Sequence, residues 1–188
     1  MSEPRQGIGK YFIAIVPPSP VFDRVEAWKQ KFGTELNTRA ALRSPAHITL
    51  HMPFEWKDKK RTALMEGLSA FAATQTSFAL RLANFSAFPP RVIFIDVVPN
   101  ESLSQLQHNL SRFCRQQYQL FNANRQDLPF HPHLTVAFRD LKKKDFAHAW
   151  AMVEHEPFVA EFQVSELALL QHDGKNWKIE QKFELAIG

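Results

Sequence analysis

Cysteine is all but missing from this chain: Cys114 is the only one in 188 residues. No disulfide can form within it, so the fold rests on packing, as suits a reducing compartment. Long apolar runs are missing too. No uninterrupted stretch approaches the roughly 20 residues of a membrane span. Met1 to Lys10 is polar, carries Gly7 and Gly9, and lacks the apolar centre of a signal peptide. There is no linker and no low-complexity tract. These absences lead us to expect a cytoplasmic protein with no membrane partner.

Neither sign of charge dominates. The formal net charge is +4. That suits an anionic substrate but is no nucleic-acid signature alone. The chain is 45% hydrophobic with 17 Phe, ample for a packed interior.

A short motif occurs twice: His47-Ile48-Thr49-Leu50 and His133-Leu134-Thr135-Val136. Eight His and seven Thr would give about 0.3 such His-x-Thr matches by accident. In a strand, residues i and i+2 share a face. His47 and Thr49 therefore project together, with Ile48 and Leu50 toward a core. His133 and Thr135 project together, backed by Leu134 and Val136. Pro45 precedes the first motif and Pro132 the second. Two such pairs facing one cleft offer two imidazoles and two hydroxyls, an apparatus for proton transfer at a phosphate ester.

Element order repeats as well. Tyr11 to Val16 reads as a buried strand ended by Pro17-Pro18. Phe22, Val25, Trp28 and Phe32 predict a helix from about Pro20 to Leu36. The first motif strand covers about Ala46 to Phe54. Asp58 is placed to cap a helix containing Leu64, Leu68 and Phe71. Ser77 to Phe88 alternates as a strand. Beyond Pro89-Pro90 the order returns: strand Arg91–Val98, a helix marked by Leu103, Leu106, Leu110, Phe113 and Cys114, a connector Asn122–Phe130, and the second motif strand. A helix with Phe146, Ala149, Trp150 and Val153 follows. Strands Phe158–Gln171 and Trp177–Ile187 flank an Asp173-Gly174 turn. The expectation is one bilobal domain over 1–188, with sequence halves of about 10–88 and 91–187. A pseudo-twofold would bring the motif strands to one cleft.

These residues resemble the two-histidine phosphoesterase superfamily, and within it the branch of 2′-5′ RNA ligase and RNA 2′,3′-cyclic phosphodiesterase-like proteins. The resemblance is carried by Tyr11–Pro18, Ser44–Pro53, Phe88–Val98, Phe130–Phe138 and the last strands. It implies an α+β fold of two pseudo-symmetric lobes, with antiparallel sheets around a central groove and helices outside. It also implies opening of 2′,3′-cyclic phosphates, ligation, or related chemistry. One position departs. Many RNA-acting relatives carry a basic residue soon after the second motif, where this chain has Phe138. Arg139, next along, falls on the opposite face if the strand continues.

The candidate residues follow. His47 and His133 are the acid–base pair, near neutral pH one neutral and one protonated. Thr49 and Thr135 hold the phosphate, and Arg91 is a further phosphate contact. No cofactor and no metal are required. The substrate is an RNA end or a small cyclic-phosphate nucleotide, and the protein is expected to be a monomer. A rival is a metal site built from His47, His51, His131 and His133; packing or loop roles for His51 and His131 are preferred. A second rival is a nucleotide- or RNA-binding module of the same fold without turnover. Phe54, Phe88 and Phe130 can stack on a base, though core packing suits each better. Lys142-Lys143-Lys144 reads as a solvated helix start, and Cys114 as core.

Overall fold

The computed structural model describes residues 7–124 and 128–188. In chain order it contains β1 (Ile8–Ile15), α1 (Val21–Glu35), β2 (Ile48–Lys57), α2 (Arg61–Ala72), β3 (Phe78–Phe88), β4 (Val92–Val97), α3 (Glu101–Tyr118), β5 (His133–Ala137), α4 (Phe146–Ala151), β6 (Val159–Val164), β7 (Glu166–His172) and β8 (Trp177–Glu184). Short 3₁₀ turns lie at Ala40–Arg43, Asp58–Lys60 and Lys143–Asp145.

The eight strands make one sheet in the order β6-β3-β4-β5-β2-β1-β7-β8. All neighbouring strands run antiparallel. The motif strands β5 and β2 lie side by side at its centre, so four strands lie on each side of their seam. The sheet must curl. β6 is an edge strand and β7 is second from the other edge, yet only Ser165 separates them. The ends are laced together there: Leu185 N–H donates to the Ser165 carbonyl at 2.8 Å, and Ala186 pairs with Thr76 just before β3. The strand expected over Phe158–Gln171 is therefore two strands, broken at Ser165 where the chain passes from one side of the sheet to the other.

The helices cover one face. Val25 and Phe32 of α1, Leu64 and Leu68 of α2, and Leu106 and Leu110 of α3 pack with Ile13, Ile48, Ile95 and Leu134 in one core. α1 packs on β5 and α3 on β2, so the helix of each half lies over the motif strand of the other. Ends follow local chemistry. The Asn100 side chain accepts from Leu103 N–H at 2.9 Å to start α3. Gln119, at φ 56°, closes it with an N–H bond back to Arg115. Asp58 does not cap α2. Its N–H donates to the Gly7 carbonyl at 3.0 Å, extending the β1–β2 pairing, and it then opens a 3₁₀ turn ahead of the helix.

The opposite face of β1 is buried too. Phe12, Ala14 and Val16 pack with Ala168 and Leu170 in a smaller cluster. Burial on both faces accounts for the unbroken apolar run in this strand. No helix among the described residues is long and apolar enough to cross a membrane.

Candidate active site

The seam between the motif strands is pinned at one pair, Ile48 opposite Leu134. Both side chains are fully buried on the helix side. Opposed residues of an antiparallel pair share a face, and the next residues along take the other face. Extending the register by one residue sets His47 opposite Thr135 and Thr49 opposite His133, all four on the face away from the helices. This is the convergence expected from the sequence.

Both strands shift register just beyond the threonine. On the β1 side Ala14 pairs with Thr49, but Ile13 pairs with His51. On the β4 side Phe94 pairs with Thr135, but Ile93 pairs with Ala137. One extra residue is accommodated in each motif strand, as at a bulge. The shift turns His51 into the core, with its ring edge-on to Phe54 and Nδ1 bonded to its neighbour's carbonyl, Met52 O, at 2.9 Å. His51 therefore does not share the face of His47 and Thr49, and the four-histidine arrangement required by the metal reading does not form. Buried Gln107 donates to the Leu50 carbonyl at this irregular point, at 3.3 Å.

The two imidazoles are held alike. His47 Nδ1 lies 2.7 Å from the Pro45 carbonyl oxygen, and His133 Nδ1 lies 2.7 Å from that of His131. A carbonyl only accepts, so each Nδ1 carries the proton. Each Nε2 is left without a hydrogen-bond partner among the described residues. Each ring also leans on a phenylalanine. Phe94 lies 4.9 Å from His133 and Phe12 lies 4.8 Å from His47, between ring centroids. The supports come from different registers. Phe94 pairs with Thr135, but the corresponding partner of Thr49 is Ala14. Phe12, two residues earlier, reaches past that small side chain. Trp177 packs edge-on to Phe12 at 4.7 Å, and Phe88 packs on Phe94 at 4.5 Å.

The charged surroundings differ. His47 is pushed down to about 4, chiefly by burial, with the Lys29 and His133 charges adding and the Pro45 hydrogen bond opposing. His133 is also lowered, again chiefly by burial; the His131 ring adds to this, while the His131 carbonyl and the Asp96 carboxylate oppose it. Asp96 pairs with His133 across β4–β5, and its Oδ1 lies 3.5 Å from His131 Nε2. Two neutral imidazoles of this kind can accept protons at Nε2, and a bound anion would favour their charged forms.

Other candidates fall as follows. Arg91 lies in the exposed β3–β4 turn, with its N–H on the Phe88 carbonyl at 3.3 Å. His131 precedes β5 in the loop, but its ring packs on Phe88 and Phe94 rather than standing free. Phe54 belongs to the core, while Phe88 is 41% exposed beside His133. Phe130 packs, partly buried, against the core. The connector expected over Asn122–Phe130 lies in part outside the described residues. Lys142, Lys143 and Lys144 are exposed ahead of α4, as expected. Arg139 is not on a strand face: β5 ends at Ala137, and Arg139 adopts φ 62° with its guanidinium over the Phe138 ring. Lys29 escaped the sequence reading, although its place four residues after Val25 puts it on the buried stripe of α1.

A sequence model of the 2′-5′ RNA ligase superfamily matches residues 17–176. A protein of Geobacillus sp. (strain WCH70) named "Putative phosphoesterase" is 28% identical over 177 residues, covering 93% of this chain and 95% of that one. A protein of the same name from Staphylococcus aureus (strain Newman) is 24% identical over 183 residues, covering 93% and 98%. Among solved structures, TT0787 of Thermus thermophilus shares the fold at TM-score 0.69 and 20% identity, covering 94% and 97%. E. coli LigT complexed with NADP+ matches at TM-score 0.66 and 26% identity, covering 95% and 98%. The paired His-x-Thr strands thus lie in a chain that belongs to the 2′-5′ RNA ligase superfamily of two-histidine phosphoesterases.

Proposed function

We propose that this phosphoesterase is a 2′,3′-cyclic phosphodiesterase of the 2′-5′ RNA ligase type, working by metal-independent acid–base catalysis with His47 and His133. The observation that carries the reading is the matched pair of imidazoles. Each is fixed through Nδ1 on a backbone carbonyl, and each has Nε2 free on the face shared with Thr49 and Thr135.

In hydrolysis, a water oxygen forms a bond to phosphorus as the bond from phosphorus to O3′ breaks. One imidazole Nε2 takes the proton from water, and the other, protonated, gives one to O3′. The product is a 2′-phosphate. The Thr49 and Thr135 hydroxyls donate to the non-bridging oxygens as charge builds there. With a ribose 5′-hydroxyl as nucleophile, the same step makes a 2′-5′ linkage. Burial keeps both histidines neutral in the free protein at neutral pH. The acid then acquires its proton as the anionic phosphate enters.

A nucleotide substrate is supported by the solved complexes of E. coli LigT with 3′-AMP, NADP+ and ATP. Phe12 and Phe94 are buried behind the imidazoles, and half-exposed Phe88 and partly buried Trp177 beyond them offer faces for a base. Arg91, in the turn that also carries Phe88, is a further candidate for the substrate phosphate. The test is a panel of nucleoside 2′,3′-cyclic phosphates and short RNAs ending in one, in excess chelator. Turnover to 2′-phosphates supports the reading. Binding without turnover would instead leave a nucleotide-binding module of the same fold.

A further inference from the structure

The segment that delivers His47 into β2 is gripped from the core side by two charged side chains of α1. Lys29 is only 1% exposed. Its Nζ donates to Glu26 Oε1 at 2.6 Å and to the Ser44 carbonyl at 2.7 Å. The same Glu26 oxygen accepts the Ala46 backbone N–H at 2.6 Å. The pair thus holds the backbone on both sides of Pro45, whose carbonyl takes the His47 Nδ1 proton. A buried ammonium paired with a partly exposed carboxylate is an expensive way to fill a helix stripe. An apolar residue of similar size often serves stability as well or better. The pair's two hydrogen bonds to the backbone both fall on the residues flanking Pro45, Ser44 and Ala46.

The second motif is supported differently. His133 has the His131 carbonyl behind it and the Asp96 carboxylate opposite. Register places Val16 where a counterpart of Asp96 would stand, because Ile15 pairs with Ile48 as Ile95 pairs with Leu134.

We propose that Glu26 and Lys29 are positioning residues for His47. They fix the Pro45 carbonyl, and through it the Nδ1-protonated tautomer and the ring orientation that leaves Nε2 open to accept a proton. The inference rests on the acid–base role proposed above for His47. The charged or titratable groups that act on this imidazole are Lys29 from α1 and His133 from β5, and each disfavours a proton on it. From β1 it meets the apolar ring of Phe12. His47 then takes the proton from the nucleophile, and His133, opposite Asp96, supplies one to the departing O3′.

The test compares wild type with Lys29→Met and with the double variant Glu26→Gln/Lys29→Met. The double variant removes both charges and keeps an oxygen to accept the Ala46 N–H. Nitrogen-15 NMR of the histidines, without substrate, reads the tautomer and titration midpoint of His47. The wild-type ring is expected to be Nδ1-protonated and to titrate well below 6.5. In either folded variant the tautomer is expected to become mixed and the midpoint to rise, with burial still holding it below 6.5. With a 2′,3′-cyclic nucleotide, kcat should fall about tenfold with KM within about twofold, and the acidic limb of the pH profile should move upward. An unchanged His47 midpoint and tautomer in a folded variant overturns the proposal. If the wild-type protein turns over no cyclic phosphate, the catalytic reading fails, and the NMR result still decides the positioning role.

Discussion

Asp96 on β4 stands opposite His133 on β5, and Val16 holds the corresponding place on the His47 side of the pseudo-twofold. The backbone treats the two imidazoles alike, but their electrostatic settings are unlike: an anion beside one and the buried Lys29 ammonium near the other.

Removing the anion should be measurable directly. The Asp96 carboxylate favours a proton on His133. In Asp96→Asn, His133 is expected to titrate at lower pH than in wild type, with His47 little changed, by histidine NMR. A His133 midpoint that stays put or rises would contradict this electrostatic reading.

Stability should depend on pH in a defined window. Both motif histidines are harder to protonate when folded than when unfolded. Between about 6.5 and about 4 the unfolded chain therefore binds more protons. Stability is lost as pH falls through that range, and His47 adds no further loss well below about 4. His47→Gln should flatten the slope of Tm against pH between 6.5 and 4. The Asp173 carboxylate, held low chiefly by its hydrogen bond to Lys178, matters only below the ordinary value of 3.8, so the two effects separate.

Phosphate ligands should bind with proton uptake. An anion beside two depressed imidazoles favours their charged forms. Affinity for a nucleoside 2′-phosphate is expected to rise as pH falls from about 7.5 to about 5.5, with protons taken up in calorimetry across buffers of different ionisation enthalpy. Proton release on binding would count against the site.

The seam between the motif strands should be fragile. Leu134 is fully buried and pairs with Ile48, the single pairing between β5 and β2. Leu134→Ala should cost about 2–5 kcal/mol of stability by denaturant unfolding, and activity should fall more than the folded fraction as the histidines lose their common register.

The seam was legible in the sequence because it depends on period-two alternation, which is local: Ile48 and Leu134 face the core, and the His and Thr side chains face away. The strand and helix order was legible for the same reason. What escaped depends on neighbouring strands or distant segments. The register shifts beyond Thr49 and Thr135 come from pairing with β1 and β4, and they send His51 into the core against the alternation of its own strand. Arg139 escaped because β5 stops at Ala137, and a residue beyond a strand end has no face to alternate. Phe12 read as ordinary core, and only the groove shows it against His47. Lys29 was in plain view as a charge on an apolar stripe. Its partners Glu26, Ser44 and Ala46 meet it only once α1 packs beneath the segment leading to β2.

The most direct test of the two-histidine scheme is single-turnover opening of a nucleoside 2′,3′-cyclic phosphate by wild type, His47→Ala and His133→Ala, all in excess chelator. The scheme predicts that each substitution alone slows the chemical step by at least about a hundredfold, while the nucleotide still binds and the fold is kept. A rate that either folded variant leaves unchanged would contradict it.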